Sequence, residues 1–167
     1  MDPALPVKNA VATVRTIKTF GVPVVDSTVN VASGQGRPTL PELAGLLAED
    51  KPLDRTTVNS WEDLEFVQAV RATGRRKLII CALWTEVCMA FTALDALREG
   101  YEVYPVVDAI AGTSPEAHRA GLDRVVQACG QPIGWVALAC EPQRDWARQE
   151  TVPAIVEIVR TDRLLQE

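Results

Sequence analysis

The chain has 167 residues with 22 acidic and 17 basic side chains, a net charge of −5, which is the size and balance of a single domain spanning residues 1 to 167. Basic residues are scattered, and Arg75-Arg76-Lys77 is too short to form a tract, so no nucleic-acid partner is expected. The most apolar stretch, Leu78 to Trp84, is too short to cross a bilayer, and Met1 to Pro6 has neither the basic start nor the apolar core of a signal peptide, so a cytoplasmic protein without a membrane partner is expected.

Apolar residues at Val7, Ala10, Val11, Val14 and Ile17 recur at helical spacing, and Gly21 stops that helix. Val22-Pro23-Val24-Val25 reads as a short strand ending at Asp26, and Leu40 to Ala48 as a short helix beyond a Gly/Pro-rich loop. Gly34-Gln35-Gly36 lacks the rest of a dinucleotide fingerprint and is read as a turn. Ser60, followed three residues later by Asp63, is expected to open a helix that Gly74 closes.

Leu78 to Trp84 is a continuous apolar run, the pattern of a strand covered on both faces. Thr85 caps the next helix, Gly100 ends it, and Tyr101 to Val107 forms the following strand. Pro115 starts a helix running to Ala128, Ile133 to Cys140 reads as a last strand, and Val152 to Leu165 as a closing helix. Strands alternating with helices imply an α/β fold, three layers α/β/α around a mainly parallel sheet of about five strands.

Open parallel sheets present ligand sites at the carboxyl ends of their strands. The residues there are Asp26, Thr85 to Cys88, and Asp108 to Thr113. Cys88 falls within the first turn of its helix, where unpaired N–H groups and the helix dipole stabilise a thiolate and can hold an oxyanion. The same position also suits a buried, inert cysteine. Cys81, Cys129 and Cys140 are assigned to packing, and no C-x-x-C spacing occurs. His118, the one histidine, is assigned to the surface.

Several stretches carry a resemblance: Asn59-Ser60-Trp61-Glu62-Asp63, Ala72-Thr73-Gly74, Leu78-Ile79-Ile80, Thr85-Glu86-Val87-Cys88, Ala93-Leu94-Asp95-Ala96 and Val107-Asp108-Ala109. Together they resemble the isochorismatase-like cysteine hydrolases, and Cys140 to Trp146 points to the YcaC-type branch. The resemblance implies a Cys/Asp/Lys triad and hydrolysis of a small amide-like substrate through an acyl-enzyme. It makes Cys88 the nucleophile and places the family's basic residue on Arg55, which as an arginine can stabilise a charge but not shuttle a proton. A surface arginine is the alternative reading of Arg55.

It further implies a non-proline cis peptide at Leu83-Trp84 and an oxyanion hole built around Leu83, Trp84 and the N–H groups near Val87 and Cys88. No cofactor is implied. The histidine cluster of metal-dependent members is missing, so no metal is expected. Ring-like homo-oligomers are implied for the branch.

Two departures stand out. Family members open with an apolar strand ending in the catalytic aspartate, whereas this chain begins at the helix after it. Asp26 is then the candidate replacement base, or else a cap on the Ser27-Thr28 turn. Trp84 occupies a position where smaller residues are usual, so it is expected to narrow the pocket. An alternative function follows: a catalytically impaired, oligomeric binding or scaffold relative. A longer natural chain would restore the full triad.

Overall fold

The computed structural model describes residues 4–49 and 51–161. Helix α1 (Ala4–Thr19) leads through the left-handed turn at Gly21 (φ 63°) into an extended segment. Strand β1 (Ser27–Val29) follows Asp26 rather than preceding it, so the strand expected at Val22 to Val25 lies further along the chain. Helix α2 (Pro41–Ala44) is shorter than expected, and β2 (Leu53–Arg55) pairs parallel with β1, Ser27 opposite Leu53.

A single 3₁₀ turn, Ser60–Glu62, precedes α3 (Leu64–Ala72). The caps differ from the expected one: the Asn59 side chain accepts from Trp61 N, and the Asp63 side chain accepts from Phe66 N at 2.9 Å. Asp63 therefore ends one turn and opens the next helix. Strand β3 (Lys77–Ile80) pairs parallel with β4 (Glu102–Pro105). Between them a π-type turn, Thr85–Met89, runs directly into α4 (Ala90–Arg98). Ser114 caps α5 (Pro115–Gln127) by accepting from Ala117 N at 3.1 Å, with Pro115 at the first helical position.

Residues 133 to 140 do not form a strand. Ile133 makes one parallel bridge to Val106, and Trp135–Gln143 then forms helix α6. A short apolar run fits a buried helix as well as a strand. Trp135, Leu138 and Ala139 share its buried face, and Asp108 Oδ1 accepts from Trp135 N at 2.9 Å, satisfying an otherwise orphaned donor. Helix α7 (Val152–Thr161) closes the described chain; the continuation expected to Leu165 lies outside the described residues. The sheet among the described residues is thus two parallel pairs, β1–β2 and β3–β4, with two isolated bridges, rather than about five contiguous strands.

The three-layer arrangement follows from the two-residue period of β3. Leu78 and Ile80 pack with Trp61, Val67, Val70, Met89 and Val103 on one face. Ile79 packs on the other with Ala10, Trp135, Leu138, Ile155 and Ile158, from α1, α6 and α7. No helix among the described residues is long and apolar enough to cross a membrane.

Candidate active site

Cys88 lies on the turn Thr85–Met89, at the carboxyl side of β3, and is half-buried. Three sets of contacts hold this turn. Thr85 N donates to Ala111 O at 2.9 Å, and Leu83 bridges Ala111, tying the turn to the loop after β4. The fully buried Thr85 hydroxyl meets His118 Nδ1 at 2.8 Å, which corrects the reading of His118 as a plain surface residue. Glu86 Oε1 accepts from Thr113 N at 3.1 Å and from Thr113 Oγ1 at 2.7 Å.

Glycines let α5 and its preceding loop approach this turn. A methyl at Gly121 would come 2.7 Å from Glu86 Cα, and one at Gly112 would come 2.7 Å from Glu86 Oε2. A glycine inside a helical pattern is the sequence signal for such close backbone packing, and Gly121 within α5 was available to be read that way.

On the other side, a polar chain fixes residues 59 to 61 against α4. Asn59 Nδ2 donates to Asp95 Oδ2 at 2.6 Å, and the Ser60 and Thr92 hydroxyls lie 2.6 Å apart. Trp61 Nε1 donates to Glu99 Oε1 at 3.0 Å. Thr92 is one turn beyond Cys88, so this network positions the start of α4.

Cys88, Arg55 and Asp26 all line one cleft, of about 270 Å³, together with Thr13 of α1, Trp61 and residues 77 to 82. Arg55 is buried at 6% exposure, which corrects the surface reading. Its Nε donates to Ser27 Oγ at 3.1 Å and its Nη1 to the carbonyls of Thr57 and Val58. Asp26 is the one acidic side chain of the cleft among the described residues, and its Oδ2 accepts from Thr39 Oγ1 at 2.6 Å.

Leu83-Trp84 is a cis peptide, as the resemblance implied. Trp84 is 46% exposed and stands outside the cleft lining, so it does not narrow the pocket. The Trp84 carbonyl accepts from the N–H groups of Val87 and Met89, both at 3.2 Å, so the Val87 donor is engaged within the turn. Cys81, an exposed residue, also lines the cleft; desolvation by its neighbours pushes its thiol up to about 12, offset in part by a hydrogen bond with Thr13, with the charge of Asp108 adding to the rise. Desolvation raises Glu86, but the bonds from Thr113 and its own N–H, with the His118 charge, outweigh that and leave it below its ordinary value.

A half-buried cysteine at a helix entrance, a buried arginine and a carboxylate thus line one cleft that runs alongside β3. The isochorismatase domain matches residues 5–137, and the chain belongs to the isochorismatase family, in its YcaC-type branch. It is 39% identical over 140 residues to the probable hydrolase YcaC of Escherichia coli strain K12, a match covering 83% of this chain and 66% of that protein. PhzD1 of Pseudomonas aeruginosa is 29% identical over 69 residues, a match covering 41% of this chain and 33% of that protein.

Among solved structures, YcaC from Pseudomonas aeruginosa with hexane-2,5-diol and covalent acrylamide aligns with a TM-score of 0.85 at 30% identity, covering 96% of this chain and 84% of that one. The Escherichia coli YcaC, an octameric hydrolase of unknown specificity, aligns with a TM-score of 0.84 at 31% identity, covering 99% and 86%.

Proposed function

We propose that the chain is a YcaC-like hydrolase that cleaves a small amide-like substrate through Cys88. The observation that carries this reading is that Cys88, Arg55 and Asp26 line one cleft, which runs alongside a parallel strand. The Cys88 sulfur attacks the substrate carbonyl carbon, and its proton passes to Asp26 directly or through one water. The oxyanion gathers at the entrance of α4, where helix-start donors and the dipole favour negative charge. Arg55 adds a fixed positive charge. The tetrahedral adduct expels the amine, which takes a proton, and water then hydrolyses the thioester to release the acid and the thiol.

A covalent acrylamide, as in the Pseudomonas aeruginosa relative, requires a nucleophile, and Cys88 is its counterpart in this reading. A homo-oligomer is part of the proposal: the Escherichia coli relative is octameric, and Leu64 (77% exposed), Trp146 (57%) and Val58 (54%) offer apolar surface for association. A panel of small amides and esters assayed with the wild-type chain and Cys88→Ala tests the mechanism. Hydrolysis that survives the substitution rules it out, and the binding or scaffold alternative then takes its place.

A further inference from the structure

Cys88 takes its position from Thr85, the first residue of its turn. The Thr85 carbonyl accepts from Ala90 N, so the backbone from Thr85 to Ala90 closes a ring that contains Cys88. Thr85 N donates to Ala111 O at 2.9 Å. Its side chain is fully buried, and among the described residues its hydroxyl meets one polar partner, His118 Nδ1, at 2.8 Å. A rotation of Thr85 therefore turns the segment that presents the thiol.

Helix α5 brings His118 to this contact with little freedom. Its cap residue Ser114 accepts from Ala117 N at the side chain and from His118 N at the carbonyl, the latter at 2.9 Å. Gly112 passes so close that a methyl on it would lie 2.8 Å from His118 N and 2.7 Å from Glu86 Oε2. Gly121, one turn beyond His118 on the same helix face, packs on the backbone of Thr85 and Glu86. The imidazole thus stands, half-buried, between two backbone contacts.

Burial sets the direction of the bond. A buried hydroxyl needs an acceptor for its proton, and Nδ1 is the acceptor that the described residues offer. An imidazole that accepts on Nδ1 carries its proton on Nε2. Glu86 is the charged group of the turn that faces the ring, and its Oε1 is engaged by Thr113.

We propose that His118 is a positioning residue for Cys88: its Nδ1 accepts the Thr85 hydroxyl proton and so holds the turn in the shape that presents the thiol. His118 acts through Thr85 and touches no reacting atom. The bearing on turnover rests on Cys88 as the nucleophile, which Cys88→Ala tests separately.

The readout is the rate at which iodoacetamide alkylates Cys88 in the full chain, followed by mass spectrometry, so no substrate is needed. His118→Ala should slow it about tenfold, the scale of one lost hydrogen bond. Asparagine places an amide oxygen where Nδ1 stood, whereas glutamine reaches the Nε2 position. His118→Asn should therefore recover most of the rate, and His118→Gln should not, although glutamine fills the space better. Thr85→Val removes the hydroxyl at constant shape and should match His118→Ala; the two together should slow alkylation no further than either alone. If Thr85→Val does not fold, the asparagine–glutamine pair carries the test. The chain has one histidine, so heteronuclear NMR of the imidazole reads its tautomer without overlap, and a proton on Nε2 is expected. Equal rates in His118→Asn and His118→Gln, additive effects of His118→Ala and Thr85→Val, or a proton on Nδ1 in the wild-type chain would overturn the proposal. Hydrolysis that survives Cys88→Ala removes the nucleophile reading alone, and the alkylation rates still decide the role of His118.

Discussion

Gly121 of α5 lies so close to Glu86 that a methyl added to it would stand 2.7 Å from the Glu86 Cα and 2.9 Å from its N. The contact is backbone against backbone, so no flexible side chain can yield. Gly121→Ala must push α5 away from the turn that carries Cys88. Overpacking of this kind destabilises by about 1–3 kcal/mol. The expected outcome is a lower denaturation midpoint, and a larger loss of any hydrolytic rate than an alanine at the open Gly45 produces, because the turn moves with its support.

Cys88→Ala should lower hydrolysis by at least about a thousandfold while leaving stability near wild type, since the side chain is only half-buried. Mass-spectrometric mapping after brief treatment with iodoacetamide should find Cys88 labelled ahead of Cys81, whose thiol burial holds up to about 12. Labelling of Cys81 first would count against the nucleophile assignment.

The neighbourhood of Cys88 was legible where it is written in consecutive residues. Thr85-Glu86-Val87-Cys88 after an apolar strand placed the cysteine at a helix entrance, and the turn from Thr85 to Met89 leads into α4. Contacts made across the fold were not legible. Arg55 was placed at the site by resemblance alone, a surface arginine being equally open, because the Ser27 hydroxyl that its Nε meets lies 28 residues away. His118 looked exposed because its neighbours along α5 are polar, whereas its partner Thr85 lies 33 residues away.

The strand expected at Ile133 to Cys140 was also misread, helix α6 taking up Trp135–Gln143. Its apolar run has no period that separates strand from helix, and the group deciding the matter, the Asp108 carboxylate on Trp135 N, comes from a distant loop.

Glu86 gives the site an acid-side signature. Burial raises its carboxyl, but the Thr113 bonds, its own N–H and the His118 charge together bring it below the ordinary 4.5. A depressed carboxylate contributes stability that is present above the unfolded value and lost as pH falls through the folded one. Glu86→Gln should therefore be less stable than wild type at pH 7, and the gap should close as pH drops below 4.5. Urea melts of both chains between pH 3 and pH 7 check this; a gap of constant size across that range would show that Glu86 acts by packing alone.

Cys81 gives the opposite edge of the pH range. The residue is exposed at the cleft, yet neighbouring protein desolvates its thiol and pushes it up to about 12 from an ordinary 9.0, the Thr13 bond offsetting part of the rise. A raised acid leaves stability untouched below the unfolded value. Above it, the unfolded chain sheds the proton while the folded chain keeps it, so stability falls as pH climbs from 9 toward 12. The slope is at most about 1.4 kcal/mol per pH unit for one proton, and solvent reaching the sulfur from the cleft reduces it. Cys81→Ala has no proton to lose, so its stability should decline less steeply over this interval, while near pH 8 the two chains differ only by the packing of one sulfur. Denaturant melts at pH 8, 9 and 10 measure the two slopes, and equal slopes would place the Cys81 thiol in an environment as wet as that of the unfolded chain.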